Sequence, residues 1–169
     1  MPTSERWWKG ASLYHVYVRS FFDSNGDGHG DLPGVMAKLA YTKSLGVDGL
    51  WLSPIHPSPN RDWGYDTADY QGVQADYGTL EDVRKLLDAA HAAGLKVVLD
   101  EVLSHTSDVH PWFVESLSGG KDGPKANWYV WADPQADGTA PNNWLSVFGG
   151  PAWAYQPARR QHYHHKFLR

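Results

Sequence analysis

The 169-residue chain has no cysteine, so no disulfide framework exists and nothing about its redox compartment can be read from thiols. It has no apolar run long enough to span a bilayer, and its opening residues, MPTSERWWKG, lack the apolar core of a signal peptide. Neither sign of charge dominates. A net charge of −4 and a pI near 6.1 leave no basic surface for nucleic acid or for an anionic membrane. Low-complexity tracts, charge blocks and long internal repeats are missing too. The expectation is a cytoplasmic protein with neither a membrane nor a nucleic-acid partner. What is abundant is apolar and aromatic residues, at 41% and 14%, ample for a buried core.

Hydrophobic spacing predicts alternating strands and helices. Residues 13–22, LYHVYVRSFF, read as a first strand. Leu32, Val35, Met36, Leu39 and Ala40 recur at helical spacing, with Asp31 as N-cap, Pro33 in the first turn and Gly46 at the end. Residues 49–52, GLWL, make a short second strand. Residues 54–77 form a loop too long for a mere connector and so suspected of function. Thr79 and Asp82 resemble a capping box, and Val83, Leu86, Leu87 and Ala90 give the next helix its apolar face before Gly94. A third strand runs from Val97 to Val102, apolar enough to be buried on both faces. This is the grammar of a parallel α/β fold. From residue 106 the rhythm stops, which predicts a subdomain inserted after the third strand and a boundary between 1–105 and 106–169.

Two stretches carry candidate chemistry. In residues 95–111, LKVVLDEVLSHTSDVHP, Asp100 sits at the strand end and His105 follows. C-terminal strand ends carry the chemistry of α/β barrels. An Asp capping the turn and a His packed on Trp112 would explain the same residues. In residues 23–31, DSNGDGHGD, oxygen ligands alternate at Asp23, Asn25 and Asp27, Gly28 permits a sharp turn, the His29 carbonyl follows and Asp31 closes the set. That pattern suits calcium or magnesium. Gly34 stands where an EF-hand has its Glu, so this is not an EF-hand; a Gly/Asp turn with Asp31 as N-cap is the plainer alternative. The nine Trp residues are expected mostly in core or subdomain packing, and His162, His164 and His165 on a partly buried polar helix face.

Five segments in order, WWKGASLYHVYVRSFFDSNGDGHGDLPGV, GVDGLWLSPIHPSP, GYDTADY, LDEVLSHTSDVHPWF and NNWLSVFGGPAW, resemble the α-amylase superfamily, glycoside hydrolase family 13, in its α-glucosidase and oligo-1,6-glucosidase branch. The resemblance implies the N-terminal part, about three strands, of a TIM (β/α)8 barrel plus the start of the domain B insertion. It implies a retaining, exo-acting enzyme on α-glucoside oligosaccharides, and a metal in the first barrel loop. It also implies roles: Tyr65 stacks on the sugar, Asp66 accepts its hydroxyl hydrogens, His105 bonds its 6-hydroxyl, Asp100 orients the surrounding loops, and Phe148 walls the pocket or packs in the core. Ser104 stands where the family usually has Asn, which makes a second calcium, between barrel and insert, doubtful. The nucleophile Asp and acid/base Glu would lie beyond Arg169. The chain is then expected to be an N-terminal fragment or truncated gene product, inactive without the rest of the barrel. A non-catalytic glycosidase-like scaffold or a sugar-binding remnant is the alternative.

Overall fold

The computed structural model describes residues 6–168. They pack as two compact units. The first comprises the chain up to Pro57 together with Gln71–Glu101; the second comprises Ser58–Tyr70 and everything from Val102 onward. The long loop and His105 therefore fold with the later residues, a division that differs from a single cut at 105/106.

In the first unit, β1 (Leu13–Val16), β2 (Gly49–Leu52) and β3 (Lys96–Leu99) form a parallel sheet in the order β1-β2-β3. Register sets Val16 against Leu52 and Leu52 against Leu99. The strands are connected through α1 (Leu32–Ala37), α2 (Leu39–Ser44) and α3 (Leu80–Ala92). Parallel neighbours need such crossovers. Val16, Leu50 and Leu52 from the sheet, Leu32, Val35 and Leu39 from α1 and α2, and Leu86 and Ala90 from α3 bury a common core. The capping box forms as read: Thr79 Oγ1 accepts from Asp82 N at 3.2 Å, and Thr79 N donates to the Asp82 carboxylate at 2.9 Å. The Thr79 hydroxyl and amide hold Asp82 below the usual carboxylate range.

Three elements differ from expectation. The first strand ends at Val16, and a 3-10 turn at Val18–Ser20 replaces its second half, because the Phe21 and Ser20 amides bond three residues back. The helix expected over 32–46 is two. Lys38, at φ −101° and ψ 5°, sends its amide to Val35 rather than four residues back, so the axis breaks there. Ala40 consequently faces solvent. Gly34 is required by close approach: a Cβ there would lie 2.0 Å from the Phe22 carbonyl oxygen. The third strand stops at Leu99, and Val97, Val98 and Leu99 are half-buried rather than buried. Among the described residues β2 is its sole strand neighbour, so a sequence suited to a covered strand forms an edge here.

The second unit contains α4 (Pro111–Ser118), β4 (Trp131–Ala132), β5 (Trp153–Gln156) and β6 (Gln161–His164), with an antiparallel sheet ordered β4-β6-β5. This corrects the helix expected for the C-terminal histidines: His162 and His164 belong to β6, and His165 follows it. Phe113, Ala154 and Tyr163 form its small core, with Trp131 stacked 5.5 Å from Phe113. The expectation for tryptophan fails for the core but not for packing within the second unit, where Trp112, Trp128, Trp131, Trp144 and Trp153 make ring contacts. Trp153 alone is buried, Trp131 is half-buried, and the other seven are exposed. Among the described residues, no helix is long and apolar enough to cross a membrane.

Candidate functional site

The second unit brings the long loop 58–70 against the segment that follows Glu101. Thr67 is the meeting point of the two backbones, its carbonyl accepting from Ser107 N at 2.9 Å. The Tyr70 hydroxyl lies 2.7 Å from both the Val102 and His105 carbonyls. Arg61 Nη1 donates to both Asp108 carboxylate oxygens at 2.8 Å. His105 Nε2 donates to the Tyr65 carbonyl at 3.0 Å, since a carbonyl can only accept. Its Nδ1 lies 3.0 Å from Ser104 Oγ, so the residue standing in place of the family's Asn helps orient the imidazole.

Asp66 is 5% exposed, and both oxygens are engaged: Oδ1 accepts from Ser58 Oγ at 2.5 Å and Oδ2 from Arg61 N at 3.0 Å. It folds the loop back on itself. Asp62, which the sequence reading passed over, is the less committed carboxylate. Partial burial raises its pKa first, the Asp66 charge raises it further, and His105 pulls the other way. Its backbone surroundings are strained: Asn60 and Trp63 have φ of 59° and 53°, and Gly64 has 105°. Bulky residues rarely adopt the left-handed region, so the loop's other contacts must hold it there.

A cavity of about 880 Å³ lies within this unit, lined by Asp62, Asp66, His105, Tyr70, Trp112 and Phe167 among others. The rings of His105 and Phe167 are 4.6 Å apart, and Phe167 is 6.4 Å from Phe148. Phe148 is largely exposed, so core packing does not describe it. Tyr65 is partly exposed, and its backbone is what holds His105. Of the residues picked from sequence, Tyr65, Asp66, His105 and Phe148 share this unit, while Asp100 belongs to the first, where its amide bonds the Leu52 carbonyl at 3.0 Å. Asp62, Arg61 and Phe167 were missed. The first two stand in the loop already suspected of function, and nothing in sequence spacing singles out Phe167. The arrangement offers carboxylates, an imidazole and aromatic faces to a polar ligand with apolar faces.

In the first unit, loop 23–31 is wound around Asp23, whose carboxylate accepts from the amides of Asn25 at 3.1 Å, Gly26 at 2.7 Å and Gly28 at 2.8 Å. The Gly28 and Gly26 bonds hold Asp23 below the usual carboxylate range. Asp27 accepts from His29 N at 2.8 Å and Asn25 Nδ2 at 3.1 Å. Asp31 is buried and caps α1: Oδ1 accepts from Gly34 N at 2.6 Å, and Oδ2 from Ser24 N and Oγ at 3.2 and 2.8 Å. Among the described residues, no three His, Asp or Glu side chains are grouped so as to hold a metal ion. The donor chemistry suits a hard cation through Asp23, Asn25, Asp27 and the His29 carbonyl; Asp31 is committed to the helix cap.

Comparison with known proteins gives one family. The α-amylase catalytic domain matches residues 15–169. An oligo-1,6-glucosidase from Heyndrickxia coagulans is 53% identical over 161 residues, covering 95% of this chain and 29% of the relative. An α-glucosidase from Culex pipiens is 47% identical over 166 residues, covering 98% and 28%. The crystal structure of XgtA, an α-glucosyl transfer enzyme, superposes with a TM-score of 0.93 at 58% identity over 96% of this chain and 30% of that one. The chain thus spans less than a third of the length of the relatives it matches.

Proposed function

The chain belongs to the α-amylase catalytic-domain family, and its parallel three-stranded sheet is the N-terminal part of that family's (β/α)8 barrel; from that premise we propose that it supplies the sugar-recognition half of a retaining, exo-acting α-glucosidase. The observation that carries the reading is the cavity of the second unit, where Asp62, Asp66, His105 and Phe167 converge. Asp62 accepts hydroxyl hydrogens of the terminal glucose, Phe167 and Phe148 face the sugar ring, and His105 donates to a hydroxyl once substrate displaces the Tyr65 carbonyl. Asp66 positions Asp62 rather than touching sugar.

Retaining hydrolysis needs a nucleophile and an acid/base carboxyl about 5 Å apart. Asp66 is a poor nucleophile, because two donors already occupy its oxygens. The family resemblance implies a reacting pair outside these 169 residues, and the proposal is that the remaining part of the barrel is needed for activity. A chimera joining this chain to the remainder of the Heyndrickxia coagulans relative tests this. It should release glucose from the non-reducing end of malto- or isomalto-oligosaccharides with retained anomeric configuration. Asp62→Ala should lower its kcat/KM by roughly 2–4 kcal/mol of transition-state binding, as for a lost charge-assisted, water-excluded hydrogen bond. An unchanged kcat/KM would remove Asp62 from the substrate site.

Loop 23–31 is proposed to bind one calcium or magnesium ion through Asp23, Asn25, Asp27 and the His29 carbonyl, with Asp31 keeping α1 capped. The ion's role is structural: it fixes the first connection of the barrel. Titration calorimetry should show calcium binding to the chain and its loss in Asp27→Ala. Equal affinity in both would sink the assignment.

A further inference from the structure

Among the described residues, Arg159 is a buried cation whose side chain meets no carboxylate. It is 6% exposed, and its three hydrogen bonds go to neutral acceptors: Nε to Gln161 Oε1 at 2.7 Å, Nη2 to the Ala126 carbonyl at 3.0 Å and Nη1 to the Ser116 carbonyl. A guanidinium has five N–H donors, so two stay unmatched, one on each Nη. The Trp131 ring covers one face of the guanidinium at 4.3 Å, and the free donors point outward in its plane. Buried charges are ordinarily paired, and this one is not.

Arg159 lines a second cavity of the later unit, of about 290 Å³, with Lys121, Asn127, Trp131, Asp133 and Gln161. Lys121 Nζ lies 2.6 Å from Asp133 Oδ1, and Gln161 Nε2 donates to the same oxygen at 2.9 Å. The Lys121 and Asp133 charges offset each other, which leaves the charge of Arg159 over. We propose that this cavity binds a small oxyanion, a phosphate or carboxylate group held by the two free Arg159 donors, with Lys121 and the Asn127 amide beside it.

The donor set selects the ligand class. Two N–H groups on one planar fork match two oxygens of one anion, which a halide cannot offer. A neutral ligand would leave the buried charge without a counter-ion. Asp133, the one carboxylate among the lining residues, works against the anion and limits its affinity. This inference is independent of the sugar and of the metal.

Nitrogen-15 NMR of the 169-residue chain tests it, in titrations with inorganic phosphate and with acetate against chloride at equal ionic strength. The Arg159 guanidinium and Trp131 indole N–H resonances should shift and saturate with at least one oxyanion and not with chloride. Tighter phosphate binding identifies a phosphate site, and tighter acetate binding a carboxylate site. Asp133→Asn removes the opposing charge and should tighten binding roughly fivefold at low salt, whereas Lys121→Ala should weaken it by a similar factor. Both side chains are more than half exposed, so both variants should fold. An Arg159 that serves packing alone would leave the two variants alike. Shifts that grow without saturation in every salt, or an affinity that neither variant changes, would overturn the proposal.

Discussion

Asp66→Ala is expected to destabilise the second unit by about 2–4 kcal/mol, because it strips the acceptor from two donors in a buried turn. Ser58 Oγ and Arg61 N would both lose their partner, and Asp66 is almost fully enclosed, so water cannot readily replace it. The loop it closes holds Asn60 and Trp63 in left-handed backbone conformations, which persist only while surrounding contacts impose them. Asp66→Asn should cost less, since one amide oxygen still accepts while the amide nitrogen meets a donor. Urea unfolding followed by tryptophan fluorescence checks this through a lower midpoint at unchanged slope. A second readout separates local from global effects. The Asp66 charge is one of the two causes that raise the Asp62 pKa, so the variant should bring Asp62 back toward the usual carboxylate range. A midpoint unmoved by Asp66→Ala would mean that loop 58–70 is held by something else.

Arg159→Ala should cost still more, about 3–5 kcal/mol, because three neutral acceptors in a buried region lose one charged donor. Arg159 is 6% exposed. Its Nε donates to Gln161 at 2.7 Å, its Nη2 to the Ala126 carbonyl at 3.0 Å and its Nη1 to the Ser116 carbonyl, while the guanidinium lies 4.3 Å over the Trp131 ring. One planar fork thus joins the end of α4, the 123–126 turn and β6. Arg159→Lys should recover little, because a single ammonium cannot span three acceptors or stack on indole in the same way. The checks are the unfolding midpoint and the near-ultraviolet circular dichroism of Trp131. Lysine restoring wild-type stability would show that charge alone matters there.

Legibility in the sequence tracked the length of each pattern. The α3 helix has thirteen residues, a capping pair at Thr79 and Asp82 and a glycine beyond its end, and all of it was readable. The strands were located, but their ends were not. At Val16 the chain tightens into a 3-10 turn, and β3 stops at Leu99 although Val102 continues the apolar run, because pairing with β2 ends there. The β4, β5 and β6 strands are two to four residues long and rich in histidine and aromatics, which is too short for a period of two to declare itself. Of the site, His105 was marked by its place after the third strand, and Asp66 was found through the family resemblance. The committed state of Asp66 and the exposure of Asp62 were not, since both depend on how a loop with no regular period folds back.

The proposed function has these 169 residues recognise an α-glucoside without supplying the reacting carboxylates. Glucose release from maltose and isomaltose, measured for the purified chain beside its chimera with the Heyndrickxia coagulans remainder, tests it most directly. The account predicts no release by the chain alone at any concentration, and Asp62-dependent release by the chimera. Hydrolysis by the chain alone, abolished by Asp62→Asn or by a change at another of its own carboxylates, would contradict it.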